Sequence, residues 1–172
     1  MTTDPVKPGY RPCVGVMVIN RDGLAWVGLR ADMPNEPEGP GQWWQMPQGG
    51  IDDGEDPRAA ALRELCEETG IRSVEVIGES RGWHTYDLPS DLAGKAWGGR
   101  WRGQKQKWYA VRFLGSDDEI DIAPVEGHDP EFRQWKWVPI TELVSSVVPF
   151  KREVYRAVVD EFAPLARPVD RS

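Results

Sequence analysis

GGIDDGEDPRAAALRELCEETGI, residues 49–71, is the stretch on which the reading of this chain turns. Asp56 is a good N-cap, Pro57 suits the first helical position, and Gly70 suits the residue just past a helix end. A helix from about Pro57 to Thr69 is therefore predicted. Ala59, Leu62 and Cys66, with Leu65 beside them, form its expected core face. Glu64, Glu67 and Glu68 then project to roughly the opposite side. They are like-charge neighbours at i,i+3 and i,i+4, each pair costing an isolated helix roughly 0.2–0.5 kcal/mol. They also crowd the last turns, where the helix dipole disfavours carboxylates. Arg63 can pair with Glu67, but one cation does not offset three anions. Two readings follow: a solvated acidic face, or a site for a hard divalent cation, which prefers carboxylate oxygens and phosphates.

The flanking sequence gives that helix a layered α/β setting. VGVMVIN (14–20), the turn RDG and LAWVGLR (24–30) form a predicted hairpin. WWQMPQGG is a short strand entering a Gly-rich turn, and SVEVIGESRGWHTYDL one or two strands. In QKQKWYAVRFLG, Tyr109, Val111 and Phe113 share one face. FRQWKWVPI alternates like a strand, and KREVYRAVVDEFAPL is a helix with Val154, Val158 and Phe162 on its stripe. ADMPNEPEGPG and PSDLAGKAWGGRWRG are loops by their Pro and Gly content.

The 172 residues suit one domain, expected over 10–164, with a flexible arm at 1–9 and a tail at 165–172. Two cysteines without metal-ligand spacing fit a reducing compartment. There is no signal pattern and no membrane-length apolar run, so the expected location is the cytoplasm. A net charge of −7 argues against broad attraction to nucleic acid, and against a DNA duplex as partner. A polyanion needs a local basic site or bridging cations.

The stretch resembles the Nudix box, G-x5-E-x7-R-E-U-x-E-E-x-G-U, with U a bulky aliphatic. Gly49, Glu55, Arg63, Glu64, Leu65, Glu67, Glu68, Gly70 and Ile71 fill all nine defined positions. The resemblance implies a mixed β-sheet sandwiched between α-helices. It also implies hydrolysis of a nucleoside diphosphate linked to another group, with Mg²⁺ or with Mn²⁺ or another divalent cation in its place. By the same resemblance Glu64, Glu67 and Glu68, with Gly49, bind metal and help activate water. Glu55, Arg63 and Gly70 are structural.

GYRPCVGVMVIN, WQMPQGGI, GQKQKWYAVRF, PEFRQWKWV and PFKREVYRAV are similar to one branch of that family. It holds bacterial RNA 5′-pyrophosphohydrolases and plant-type asymmetric diadenosine tetraphosphate hydrolases. The branch implies a further glutamate, Glu131, as metal ligand or general base, beside Glu68 and Glu64 as catalytic residues. Candidate substrate contacts are Arg11, Arg30, Gln48 and Tyr86, the basic run with Gln104, Lys105 and Lys107, and the pair Phe150 and Lys151. The implied substrate is the 5′ end of triphosphorylated RNA or a dinucleoside polyphosphate. A nucleotide sugar, an oxidised nucleotide and a non-catalytic nucleotide sensor are the alternatives. The last would show first as missing box carboxylates, and none is missing.

Overall fold

Ten residues, Tyr10–Ile19, form β1, and the rest of the molecule is arranged around it. The computed structural model describes residues 9–31, 43–89, 101–123 and 130–169. Along one edge β1 pairs in parallel with β7 (Gly103–Phe113), in unbroken register from Tyr10↔Gly103 to Ile19↔Arg112. β5 (Val74–Glu79) and β6 (His84–Asp87) then pair antiparallel with β7. The other edge of β1 is divided. Its end meets β2 (Ala25–Arg30) at Ile19↔Ala25, and its middle, from Cys13 to Gly15, meets β4 (Gln48–Gly50). β2 swings away and pairs with β3 (Trp44–Gln45) and β8 (Phe132–Val138). The sheet is thus mixed and forked, and the WQMPQGG segment fills the fork.

Strand alternation builds a core on each face. Val14, Val16 and Val18 join Tyr109, Val111 and Phe113 on one side, as the alternation of β7 predicts. Met17, Ile19, Trp108 and Ala110 lie on the other. α1 (Pro57–Thr69) covers the first face. α2 (Leu143–Ser146) and α3 (Arg152–Phe162) cover the second, α3 through Val154, Tyr155, Val158 and Phe162. The α/β sandwich expected from the sequence is the one observed, with α2 as an additional short helix.

The ends of α1 follow its sequence. Asp56 accepts from the Ala59 N–H at 3.1 Å, and Gly70 takes a left-handed φ of 73° and donates to the Cys66 carbonyl. Its faces do not follow. Ala60, Ala61, Leu65 and Thr69 are buried, whereas Ala59 and Leu62 are exposed. The core stripe is therefore displaced from the predicted one. It runs beside Glu64 and Glu68, so those side chains lie at the helix–sheet seam rather than opposite it. Hydropathy alone cannot set this angle on a helix whose apolar residues are mostly alanine, because several rotations bury similar area.

The segments 32–42 and 90–100, both expected as loops, and the arm 1–8 lie outside the described residues. At the other end, Leu165 and Ala166 pack against the α3-side core, and the Val169 N–H donates to the Arg21 carbonyl.

Candidate active site

The fork brings four parts of the chain together: β4, the end of β2, the start of β8, and α1 lying above β4. Segment 44–50 is pinned there from both sides. The Met46 N–H donates to the buried Tyr155 hydroxyl at 2.9 Å, and the Val16 N–H to the Pro47 carbonyl at 2.9 Å. Gly49 leaves room for a carboxylate; a Cβ there would collide with the Glu64 carboxyl group. The Gln48 N–H donates to Glu68 Oε2 at 3.2 Å. Two box glutamates thus lie against the backbone of the Gly-rich turn.

Arg63 ties the turn to the helix. Its guanidinium donates twice to Glu55 at 2.8 Å, to the Gly50 carbonyl at 3.0 Å, to Glu64 at 3.0 Å and to Glu67 at 3.2 Å. Glu55 also accepts from the Asp52 N–H. Hydrogen bonds from Arg63, then from Asp52, hold the Glu55 carboxyl down at about 2. The i,i+4 pairing of Arg63 with Glu67 predicted from the helix is present. Of Glu64 and Glu67, Glu67 is the more exposed.

Electrostatics separate the catalytic candidates from that frame. Burial, then repulsion from Glu131 and Glu64, push Glu68 well above the ordinary carboxylate range. Glu64 is also raised, first by burial, with Arg63 opposing and Glu67 and Glu131 adding repulsion. Glu131, chosen only by the branch resemblance, is thus within electrostatic reach of both. The β8–β2 pairing carries it there, and its carbonyl accepts from the Ala31 N–H. Among the described residues no three acidic, histidine or cysteine side chains already converge as a finished metal cage. The donor chemistry still fits a hard divalent cation. Glu64, Glu68 and Glu131 are oxygen donors that repel one another, and a bound cation would supply the charge that makes their ionised forms favourable.

On the α3 side of the sheet the substrate candidates sort themselves by strand parity. Gln48 and Gln104 are buried and joined through Gln106, which donates to Gln104 at 2.8 Å and to Gln48 at 3.4 Å. Tyr86 is buried, hydrogen-bonded to the Gln48 side chain, and stands 5.6 Å from the Phe150 ring. Lys151 is 3% exposed and lies over both rings. A cleft of about 350 Å³ borders Tyr86 and Phe150. Arg30 reaches this group through Gln45, at 3.2 Å. Arg11 lies against Gly50, where a Cβ would meet its Nη2. Lys105 and Lys107 do not join this α3-side group. They share the parity of Tyr109 and so project to the α1 side, where Lys105 sits over the Trp83 ring. The basic run expected to dock a polyphosphate as a unit is therefore divided, because successive strand residues face opposite ways. Sequence reasoning passed over Gln45 and Gln106; a glutamine inside an apolar strand was the available signal.

Residues 9–158 match the family model described as NUDIX domain. The chain is 58% identical to an RNA pyrophosphohydrolase of Rhizobium meliloti over 92% of its own length and 96% of that protein. It is 56% identical to an RNA pyrophosphohydrolase of Nitrobacter winogradskyi, over 91% and 92%. Among solved structures, the E. coli dihydroneopterin triphosphate pyrophosphohydrolase superposes with a TM-score of 0.63 at 18% identity, covering 89% of this chain and 99% of that one. A C. elegans Ap4A hydrolase superposes with a TM-score of 0.58, also at 18% identity, over 88% and 98%. Those two likenesses concern the fold. Together with the complete box and its placement in the fork, the match over most of the chain means that this protein belongs to the NUDIX domain family.

Proposed function

We propose that this Nudix pyrophosphohydrolase removes pyrophosphate from the 5′-triphosphate end of RNA. Hydrolysis of nucleoside polyphosphates is common ground for the family members it resembles; the RNA end is the specific choice. The observation that carries it is the identity of 54–58% to RNA pyrophosphohydrolases over nearly the whole of both chains. The geometry agrees in scale. Tyr86, Phe150 and Lys151 form a shelf for one nucleoside, and burial raises both Tyr86 and Glu68 while the Arg30 charge opposes that rise at each, so Arg30 is within electrostatic reach of the shelf and of Glu68. Single-stranded RNA recognition rests on such stacked bases.

Nudix hydrolases generally use divalent cations, and we propose Mg²⁺, which Glu64, Glu67, Glu68, Glu131 and the Gly49 carbonyl would hold. When bound it would neutralise phosphate oxygens and make the attacking water more acidic. The chain's own residues do the rest. Arg30 and Lys151 orient the polyphosphate, and the buried amides of Gln48 and Gln104 line its seat. Water adds its oxygen to phosphorus, a phosphoanhydride bond breaks, and pyrophosphate leaves. With the cation bound, the carboxylates are favoured in their ionised form, and Glu68 or Glu131 takes the proton released by the water. Arg63 and Glu55 hold the turn and helix in register throughout.

Specific rates on 5′-triphosphorylated RNA, diadenosine tetraphosphate and a nucleotide sugar, all with Mg²⁺, test the choice. RNA should be turned over fastest; a higher rate on diadenosine tetraphosphate would reverse it. Phe150→Ala removes one wall of the shelf, and a lost stacking platform costs about 1–3 kcal/mol per base. It should raise KM for RNA far more than it lowers kcat. An equal slowing of all substrates, with a lowered Tm, would make Phe150 core packing, since its ring also touches the α3-side core.

A further inference from the structure

Gln45 is 1% exposed, and its amide oxygen accepts from two cations at once. Arg30 Nη1 donates to it at 3.2 Å and Lys151 Nζ at 3.1 Å. Both neighbours can only donate, so the oxygen, not the nitrogen, must face them. The nitrogen, Nε2, is buried without an acceptor. One buried amide oxygen thus fixes the directions of two cations that reach it from different elements of the fold. The strand register fixes it: Gln45 pairs with Gly28 two residues before Arg30, and the next residue, Met46, is tied to Tyr155 of α3, the helix that Lys151 leads into.

We propose that Gln45 is a positioning residue of the substrate site. Its amide oxygen holds Arg30, on the side of Glu68, next to Lys151, on the Tyr86–Phe150 shelf, so that both charges meet one 5′-polyphosphate nucleotide. The proposal rests on the reading of the site as a nucleoside polyphosphate site. It makes Gln45 the link between the recognition half and the catalytic half: without it each cation keeps its charge and loses its shared direction.

Steady-state kinetics of the full chain with Mg²⁺ test this on a 5′-triphosphorylated dinucleotide and on diadenosine tetraphosphate. Gln45→Leu keeps the bulk and removes the acceptor. It should raise KM roughly tenfold with kcat within about threefold, the signature of lost uniform binding. Gln45→Glu keeps the acceptor but cancels one positive charge. It should raise KM as strongly while holding Tm at or above the wild-type value, which a merely structural glutamine would not do. In a Lys151→Ala background the effect of Gln45→Leu on KM should shrink to less than about twofold, because the two act as a unit. Should Gln45→Leu fail to fold, the same cycle with Gln45→Glu decides. A wild-type KM in Gln45→Glu, or equal effects of Gln45 replacement with and without Lys151, overturns the proposal. Coupling seen with diadenosine tetraphosphate alone would uphold Gln45 and overturn the choice of RNA.

Discussion

Glu68→Gln should lose more than roughly nine-tenths of the wild-type rate at saturating Mg²⁺ and still fold, since in the proposed site the cation then loses a ligand, and with it several kcal/mol of transition-state stabilisation. The replacement keeps the volume and can still accept from the Gln48 N–H. It also removes the carboxyl group that burial, Glu131 and Glu64 push well above its ordinary value. That gives a second readout in the absence of cations. As pH rises from about 4.5 through the raised value, the unfolded chain releases its proton while the folded protein retains it. The folded state then binds more protons, so stability falls with rising pH over that interval. Glu64, raised in the same direction, adds to the fall. Glu55 acts the other way: held at about 2, it contributes stability above about 4.5 that is lost as pH falls toward 2. The cation-free protein should therefore melt higher near pH 5 than near pH 8, with a smaller difference in Glu68→Gln. Thermal melts of both proteins in chelator across that range check it. Wild-type activity in the variant, or an unchanged pH slope, would remove Glu68 from the centre.

Gly49→Ala should be nearly as inactive for a different reason. The new methyl group lands on the Glu64 carboxyl, which is the far end of a flexible side chain and can swing away. The backbone there needs no left-handed conformation, so the fold is not strained. The expected result is a loss of activity of more than about tenfold, because the displaced carboxylate no longer supports the cation, with Tm nearly unchanged. A second readout is the Tm increase given by Mg²⁺, which should shrink as the cation's affinity for the folded state falls. Full activity in Gly49→Ala would show that Glu64 can work from another position.

The extent to which this was written in the sequence depends on the range of the physics involved. Local rules were enough for the ends of α1. Asp56, Pro57 and Gly70 act on the backbone within one turn, and the cap geometry is as expected. Strand alternation likewise gave the face shared by Tyr109, Val111 and Phe113, because a side-chain period of two needs no partner. The box motif identified Arg63 and Glu55 as a structural pair, and they are bonded at 2.8 Å. The family was legible because residues 49–71 fill all nine positions of the box; the charge pattern alone left a solvated acidic face open.

Other features depended on where the elements meet. The rotation of α1, which turns Ala60, Ala61 and Leu65 inward, follows from packing against β1 and β4. A helix rich in alanine leaves the angle open until a sheet is present. The approach of Glu131 to Glu68 follows from β8 pairing with β2, across about a hundred residues of chain. The division of Gln104 from Lys105 and Lys107 was implicit in the strand period, yet it became a statement about the site only once Gln48 and Tyr86 occupied one face. Gln45 shows the limit most clearly. The first glutamine of WQMPQGG signals no more than a polar side chain in an apolar strand, and its bonds to Arg30 and Lys151 span 15 and 106 positions. The sequence by itself determined the helix caps, the strand faces and the box motif, which arise within a few residues of one another. The fork in the sheet decided which distant charges stand side by side, because only pairing and packing across the whole chain fix those distances.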